Sequence, residues 1–275
     1  MRPIIATAVV LAVVAAAVWT AFLLPSLIAA AQYSGRAGGE NVTASNIYAI
    51  SVSDPVGYVY VGTWNGSTIQ VTYSLQYFPV DPLVPVIRAG NGTLGVEIRQ
   101  VIPYLPGYYE ADVRVLVPYS MAPHVSVSST DGDVSVELPA AETVGIGTTN
   151  GNIDVKVIRA SEIDVATTNG NIGLIASDVG NAQASTVNGR IYADLNGPLH
   201  GNYVFTDVNG GIEVLVPRNA SVAFYVSSSN GAFGVSGIPI TPIENTGNSI
   251  QGIAGNGTAY LRESTVNGEA LLEGQ

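Results

Sequence analysis

Seven short segments of this chain carry nearly the same residues in the same order, and their spacing leaves the fold little freedom. They read SSTDGDVSV at 128–136, TTNGNIDV at 148–155, TTNGNIGL at 167–174, STVNGRIYA at 185–193, TDVNGGIEV at 206–214, SSSNGAFGV at 227–235 and STVNGEALL at 264–272. The turn pairs are Asp131-Gly132, Asn150-Gly151, Asn169-Gly170, Asn188-Gly189, Asn209-Gly210, Asn230-Gly231 and Asn267-Gly268. The first six recur at intervals of 19, 19, 19, 21 and 21 residues. The last interval, 37 residues, is two units long, and Asn248-Ser249-Ile250 in its middle is expected to be a degenerate copy.

Each unit holds a tight turn, a strand, a smaller turn and a second strand, and its glycine is expected to supply a positive φ. Two topologies use such a unit. In an up-and-down meander Asn-Gly is a hairpin turn; in a parallel solenoid each unit is one coil, with equivalent residues stacked ~4.8 Å apart. Constant turn chemistry at constant spacing is what stacking rewards, so the solenoid is favoured. Ile153, Val155 and Val157 should then lie over Ile172, Leu174 and the next coil's apolar positions.

The residues before the repeat also read as strands. Tyr48, Ile50 and Val52, then Ile69, Val71 and Tyr73, then Val113, Val115 and Val117 follow a period of two. Asp54-Pro55, Asn65-Gly66, Asp81-Pro82 and Asn91-Gly92 punctuate them. Pro79, Pro82, Pro85, Pro103 and Pro106 assign 76–107 to edges and loops. The expected organisation is an N-terminal transmembrane anchor at 1–31, a Gly-rich spacer at 32–45, irregular β coils at 46–124 and the repeat solenoid at 125–275. The anchor rests on the absence of charge from Pro3 to Gly35 and the apolar run from Ile4 to Ala31, which is longer than a secretory h-region of ~7–15 residues. A cleaved signal peptide is the rival, since Ala29-Ala30-Ala31 offers small residues for a peptidase. Arg2 before the run orients a single-pass protein of the cell membrane with its C-terminal body extracellular.

The order of ISVSDPVGYVYVGTW, ADVRVLVP and then the repeated T-x-N/D-G-x-I/V-x-V units resembles the adhesin-like β-solenoid family carried as domain of unknown function 4097. The likeness spans about Ile47 to Leu272. It implies an all-β chain folded as a single-stranded, right-handed parallel β-solenoid with 19–21-residue repeats, an adhesive or scaffolding role at a bacterial or archaeal envelope, and no catalytic residues to carry over.

Composition narrows the chemistry. With no cysteine, thiol catalysis, zinc-thiolate and iron–sulfur sites are excluded. A net charge of −11 makes nucleic acid a poor partner. His124 and His200 stand far apart without spaced carboxylates, and no G-x-S-x-G elbow is present. No catalytic residue, metal ligand or cofactor is therefore expected. The recurring Asp131, Asp133, Asp154, Asp164, Asp178, Asp194 and Asp207 raise Ca²⁺ as a weak alternative to simple turn capping.

Five N-x-Ser/Thr sequons, at Asn41, Asn65, Asn91, Asn219 and Asn256, are candidate N-glycosylation sites. Tyr48, Tyr58, Tyr60, Tyr73, Tyr77, Tyr104, Tyr108 and Tyr109 crowd the N-terminal half, where they would serve either as strand packing or as an aromatic platform for envelope glycans or surface proteins. The expected function is a membrane-anchored, non-catalytic adhesin-like or scaffold module. The alternatives are a subunit that self-associates end to end into a surface filament, and a glycan-active β-solenoid lyase or hydrolase.

Overall fold

The computed structural model describes residues 34–102 and 107–275, so the expected membrane anchor, together with Pro103, Tyr104 and Pro106, lies outside the described residues. Among the described residues no helix is long and apolar enough to cross a membrane. What is present is β-structure with a short 3-10 turn at Ala44–Asn46.

The repeat forms the centre. β8 (His124–Asp131), β9 (Val134–Asn150), β10 (Ile153–Asn169) and β11 (Ile172–Ser185) pair in parallel at constant register. Ile153, Val155 and Val157 lie against Ile172, Leu174 and Ala176, the stacking expected of a solenoid and not of a meander. Alternate residues of β10 are buried and exposed, and Ala160 marks the corner where each long strand turns from one wall of the coil to the other. The walls continue with β12 (Ile191–Leu195), β13 (Asn202–Thr206) and β14 (Ile212–Val216), where the corner gains two residues. There Ala182 and Ala184 give way to Tyr203 and Phe205, which fill a wider core.

At both ends the spatial order departs from the order of the chain. β15 (Val222–Ser228) and β16 (Phe233–Ser236) do not stack on β13 and β14. The last strands, β19 (Ala259–Thr265) and β20 (Ala270–Gly274), are inserted between them: β19 pairs with β13 and β15, and β20 with β14 and β16. The turn column therefore runs Asn209, Asn267, Asn230. The opposite end repeats the arrangement. β2 (Ala49–Val56) lies between β8 and β6 (Thr93–Gln100), and β3 (Val59–Trp64) lies between β9 and β7 (Tyr108–Pro118).

Antiparallel strands close the walls. β4 (Thr68–Phe78) lies on β7 and carries β1 (Ser34–Thr43), while β5 (Leu83–Gly90) lies on β6. At the far end β18 (Ser249–Ala254) lies on β15 and carries β17 (Ile240–Asn245).

Two expectations need correction. Residues 34–43 form β1 and not a flexible spacer; their glycines let the backbone lie close to β4, since a Cβ on Gly38 would meet the Tyr73 hydroxyl oxygen at 2.3 Å. Asn248 is no degenerate coil: it belongs to the turn between β17 and β18, which Thr246 ties to Ser249. The C-terminal Glu269–Glu273 segment contributes to β20 inside a wall.

A tyrosine and carboxylate groove at the end of the asparagine column

The repeated turns build one continuous column. Each Asn donates its side-chain amide to the residue below it: Asn150 to Asp131 at 2.6 Å, Asn169 to Asn150 at 2.7 Å, Asn188 to Asn169 at 2.8 Å and Asn209 to Asn188 at 2.9 Å. Asn267 then donates to Asn209 at 2.8 Å and Asn230 to Asn267 at 2.9 Å. Two residues earlier, Thr148, Thr167 and Thr186 donate to the carbonyls of Gly132, Gly151 and Gly170. In that row Asp207 replaces the hydroxyl, accepts from Thr265 at 3.1 Å, and is held above the usual carboxylate range by burial.

The glycines of these turns are not needed for a positive φ, as the sequence reading supposed. That conformation is confined, among glycines, to Gly57, Gly92, Gly107, Gly237, Gly255 and Gly257. The repeat glycines are required because stacked backbones touch. A Cβ on Gly151 would sit 2.0 Å from the Gly132 carbonyl oxygen, and one on Gly170 would sit 1.9 Å from that of Gly151. Asn91-Gly92 is the conventional case, with φ of 52° and 79° in the β5–β6 hairpin turn.

At the N-terminal end the column stops at Asp131. The next coil supplies Val56 in its place, and Gly57 lies beneath Gly132. Beyond this point Tyr58, Tyr108 and Tyr109 gather with Glu110, Asp131 and Asp133 around a groove of about 440 Å³. A hollow of about 350 Å³ shares Val56, Tyr108, Tyr109 and Asp131 with it and extends to Gln100. From Gln100 the surface opens into a third, of about 430 Å³, beside Asp54, Glu97, Arg99 and Ser129. Tyr58 and Tyr108 are each 42% exposed, and Tyr109 packs partly on the core. The Tyr109 hydroxyl accepts from the Gln100 amide at 3.0 Å, and the Tyr108 hydroxyl donates to Glu110.

The other described tyrosines of the N-terminal half do not join this groove. The Arg114 guanidinium covers Tyr60 at 5.1 Å, Tyr73 packs on the core, Tyr77 lies on β4, Tyr48 folds over Gly92, and Tyr104 lies outside the described residues.

Asp54 borders the third hollow. Its side chain is buried; Oδ1 accepts from the Val56 amide at 3.1 Å, whereas Oδ2 has no partner. Desolvation raises its pKa to about 7, with a further push from Asp112. Asp112 is itself raised by burial and by Glu110. At the rim, Arg99 pairs with Glu97 at 2.7 Å and lowers that carboxyl.

The remaining candidates are scattered. His124 contacts Thr143 at 3.0 Å, and His200 meets Asp178 at 3.2 Å. The recurring aspartates occupy different rows, and no group of three metal-ligating side chains forms among the described residues. The sequon residues Asn41, Asn65, Asn91, Asn219 and Asn256 are all exposed. Sequence reasoning missed Asp54, Asp207 and Glu263 as buried acids; their signal was an acid in an inward, otherwise apolar or hydroxylic row.

The fold and groove define an all-β, parallel-coil solenoid carrying an open, aromatic-lined groove. The Toastrack DUF4097 family model matches residues 117–272, more than half of the chain, and the chain belongs to that family. A search of curated proteins gives no match.

Among solved structures, a candidate cell adhesion protein from Clostridium sporogenes ATCC 15579 is 9% identical, with 89% of this chain and 100% of that one covered and a TM-score of 0.43. A candidate adhesin from Parabacteroides merdae ATCC 43184 is 9% identical, covering 90% and 98% with a TM-score of 0.42. A candidate lipid binding protein from Parabacteroides distasonis ATCC 8503 is 11% identical, covering 88% and 97% with a TM-score of 0.43.

Proposed function

We propose that this chain is a membrane-anchored, extracellular, non-catalytic adhesin-like module that binds envelope glycans in the tyrosine groove. The observation that carries the reading is the meeting of Tyr58, Tyr108 and Tyr109 with carboxylates at the point where the regular column ends. Tyrosine faces stack on sugar rings, and the carboxylates accept hydroxyl hydrogens around them. All three tyrosines lie before residue 117, where the family model match begins, while Asp131 and Asp133 lie within it. The apolar run at 4–31 supports tethering of the solenoid to a membrane.

The test is binding of the full chain to a panel of envelope glycans, with Tyr58→Ala and Tyr108→Ala variants. Saturable binding weakened about tenfold or more by either substitution fits the proposal. Equal binding by both variants would move the site elsewhere, and depolymerised glycan would make the protein an enzyme.

A further inference from the structure

The inserted last coil carries a residue that its position does not tolerate as an ion. On β19 the inward side chains are Ala259, Leu261, Glu263 and Thr265. Glu263 is fully buried, and neither carboxyl oxygen has a hydrogen-bond partner. Its neighbours in the stack are Phe205 on β13 and Val226 on β15. Further along the same row stand Val127, Ile146, Val165 and Ala184. A leucine there would continue the core, so the glutamate gives up stability that the row could have supplied.

The coil that holds Glu263 is the last in the chain yet lies inside both walls. β19 separates β13 from β15, and β20 separates β14 from β16. Loss of either terminal strand therefore opens a wall at two ladders and uncovers strand edges on both sides of the gap.

We propose that Glu263 is a proton-controlled latch: while its carboxyl is protonated the last coil stays seated between its neighbours, and ionisation releases β19 and β20 together. Two other titratable groups lie close to it on the packed elements. Tyr203 on β13 is buried and donates to the Val179 carbonyl at 2.6 Å, and Asp207, just beyond β13, accepts from Thr265. Neither provides a cation. Tyr225 and Arg262 face each other outside the wall, at 5.6 Å. The strands of the other wall, β14, β16 and β20, point only apolar side chains inward.

Burial holds the Glu263 carboxyl well above the usual glutamate range. When an acid is raised in the folded state, the seated coil carries no penalty below the unfolded pKa. Its stability then falls as pH rises from that value toward the folded one.

Hydrogen exchange of the full chain, read by peptide mass spectrometry across a pH series and corrected for intrinsic exchange, tests the latch. Protection of 259–274 should fall about tenfold per pH unit above the ordinary glutamate range, while 153–169 keeps its protection. Glu263→Gln should abolish that dependence, and Glu263→Leu should abolish it while filling the row. Persistence of the same pH dependence in either variant overturns the proposal. If neither variant folds, the wild-type profile decides: loss confined to the last coil and its strand partners supports the latch, and uniform loss across all coils overturns it.

Discussion

At the scale of single residues, the column separates two kinds of constraint that look alike in the sequence. Asn169 is exposed and makes two side-chain bonds, one to Asn150 and one from Asn188. Asn169→Ala should cost about 1–2 kcal/mol in chemical denaturation, the net worth of two such bonds. Gly170→Ala should cost more, about 3 kcal/mol, because the Gly151 carbonyl occupies the site of its Cβ and an adjacent coil must move. Equal costs would mean that the stack yields more readily than its spacing implies. Asp54 makes a pH-dependent prediction: its pKa is 3.8 in the unfolded reference and about 7 when folded. The acid is raised, so its stability contribution is lost as pH climbs through that interval and is constant above it. Asp54→Asn should flatten this part of the melting profile and make the protein more stable than wild type at pH ~8, by at most about 4 kcal/mol. A wild-type melting temperature unchanged across the interval would place Asp54 in a wetter site than the structure shows.

At the scale of elements, the sequence displayed the coil but concealed its order. Thr-x-Asn-Gly chemistry identifies parallel stacking because each turn satisfies the next, and the register of Ile153 against Ile172 follows from the repeat length. The same chemistry cannot rank Asn230 and Asn267, because either can donate to Asn209. Connection length decides: the residues between those turns have enough reach to form the β17–β18 hairpin and return inside β15. The groove was half legible for a related reason. A crowd of tyrosines is visible in sequence, but which of them meet depends on β2 and β3 being inserted beneath β8 and β9, a pairing between segments far apart in the chain. The inserted elements predict an asymmetry in truncation. A chain ending at Gly257 loses β19 and β20, which are the parallel partners of β15 and β16, whereas β13 and β14 keep β11 and β12. It should unfold from 222 to 236, seen as lost exchange protection there with 134–169 still protected. Protection retained at 222–228 would show that β15 can close directly on β13.

At the scale of the whole molecule, a stack of parallel coils invites end-to-end growth, because each terminal strand is an unpaired template. Here the outer strands oppose it. One wall ends in β5 and β17, which carry Pro85 and Pro242, and each proline removes a backbone donor from its edge strand. The other wall ends in β1, with Arg36 and Glu40 along it, and in β16, only four residues long. A net charge of −11 adds repulsion between copies. These features weigh against end-to-end assembly of the solenoid. Pro242→Thr restores the donor on β17 without adding much bulk. It should produce concentration-dependent association in sedimentation experiments, while the solenoid of the wild type stays monomeric under the same conditions. Association of the wild type to the same extent would show that the prolines do not block the ends, and would favour the alternative of a filament subunit.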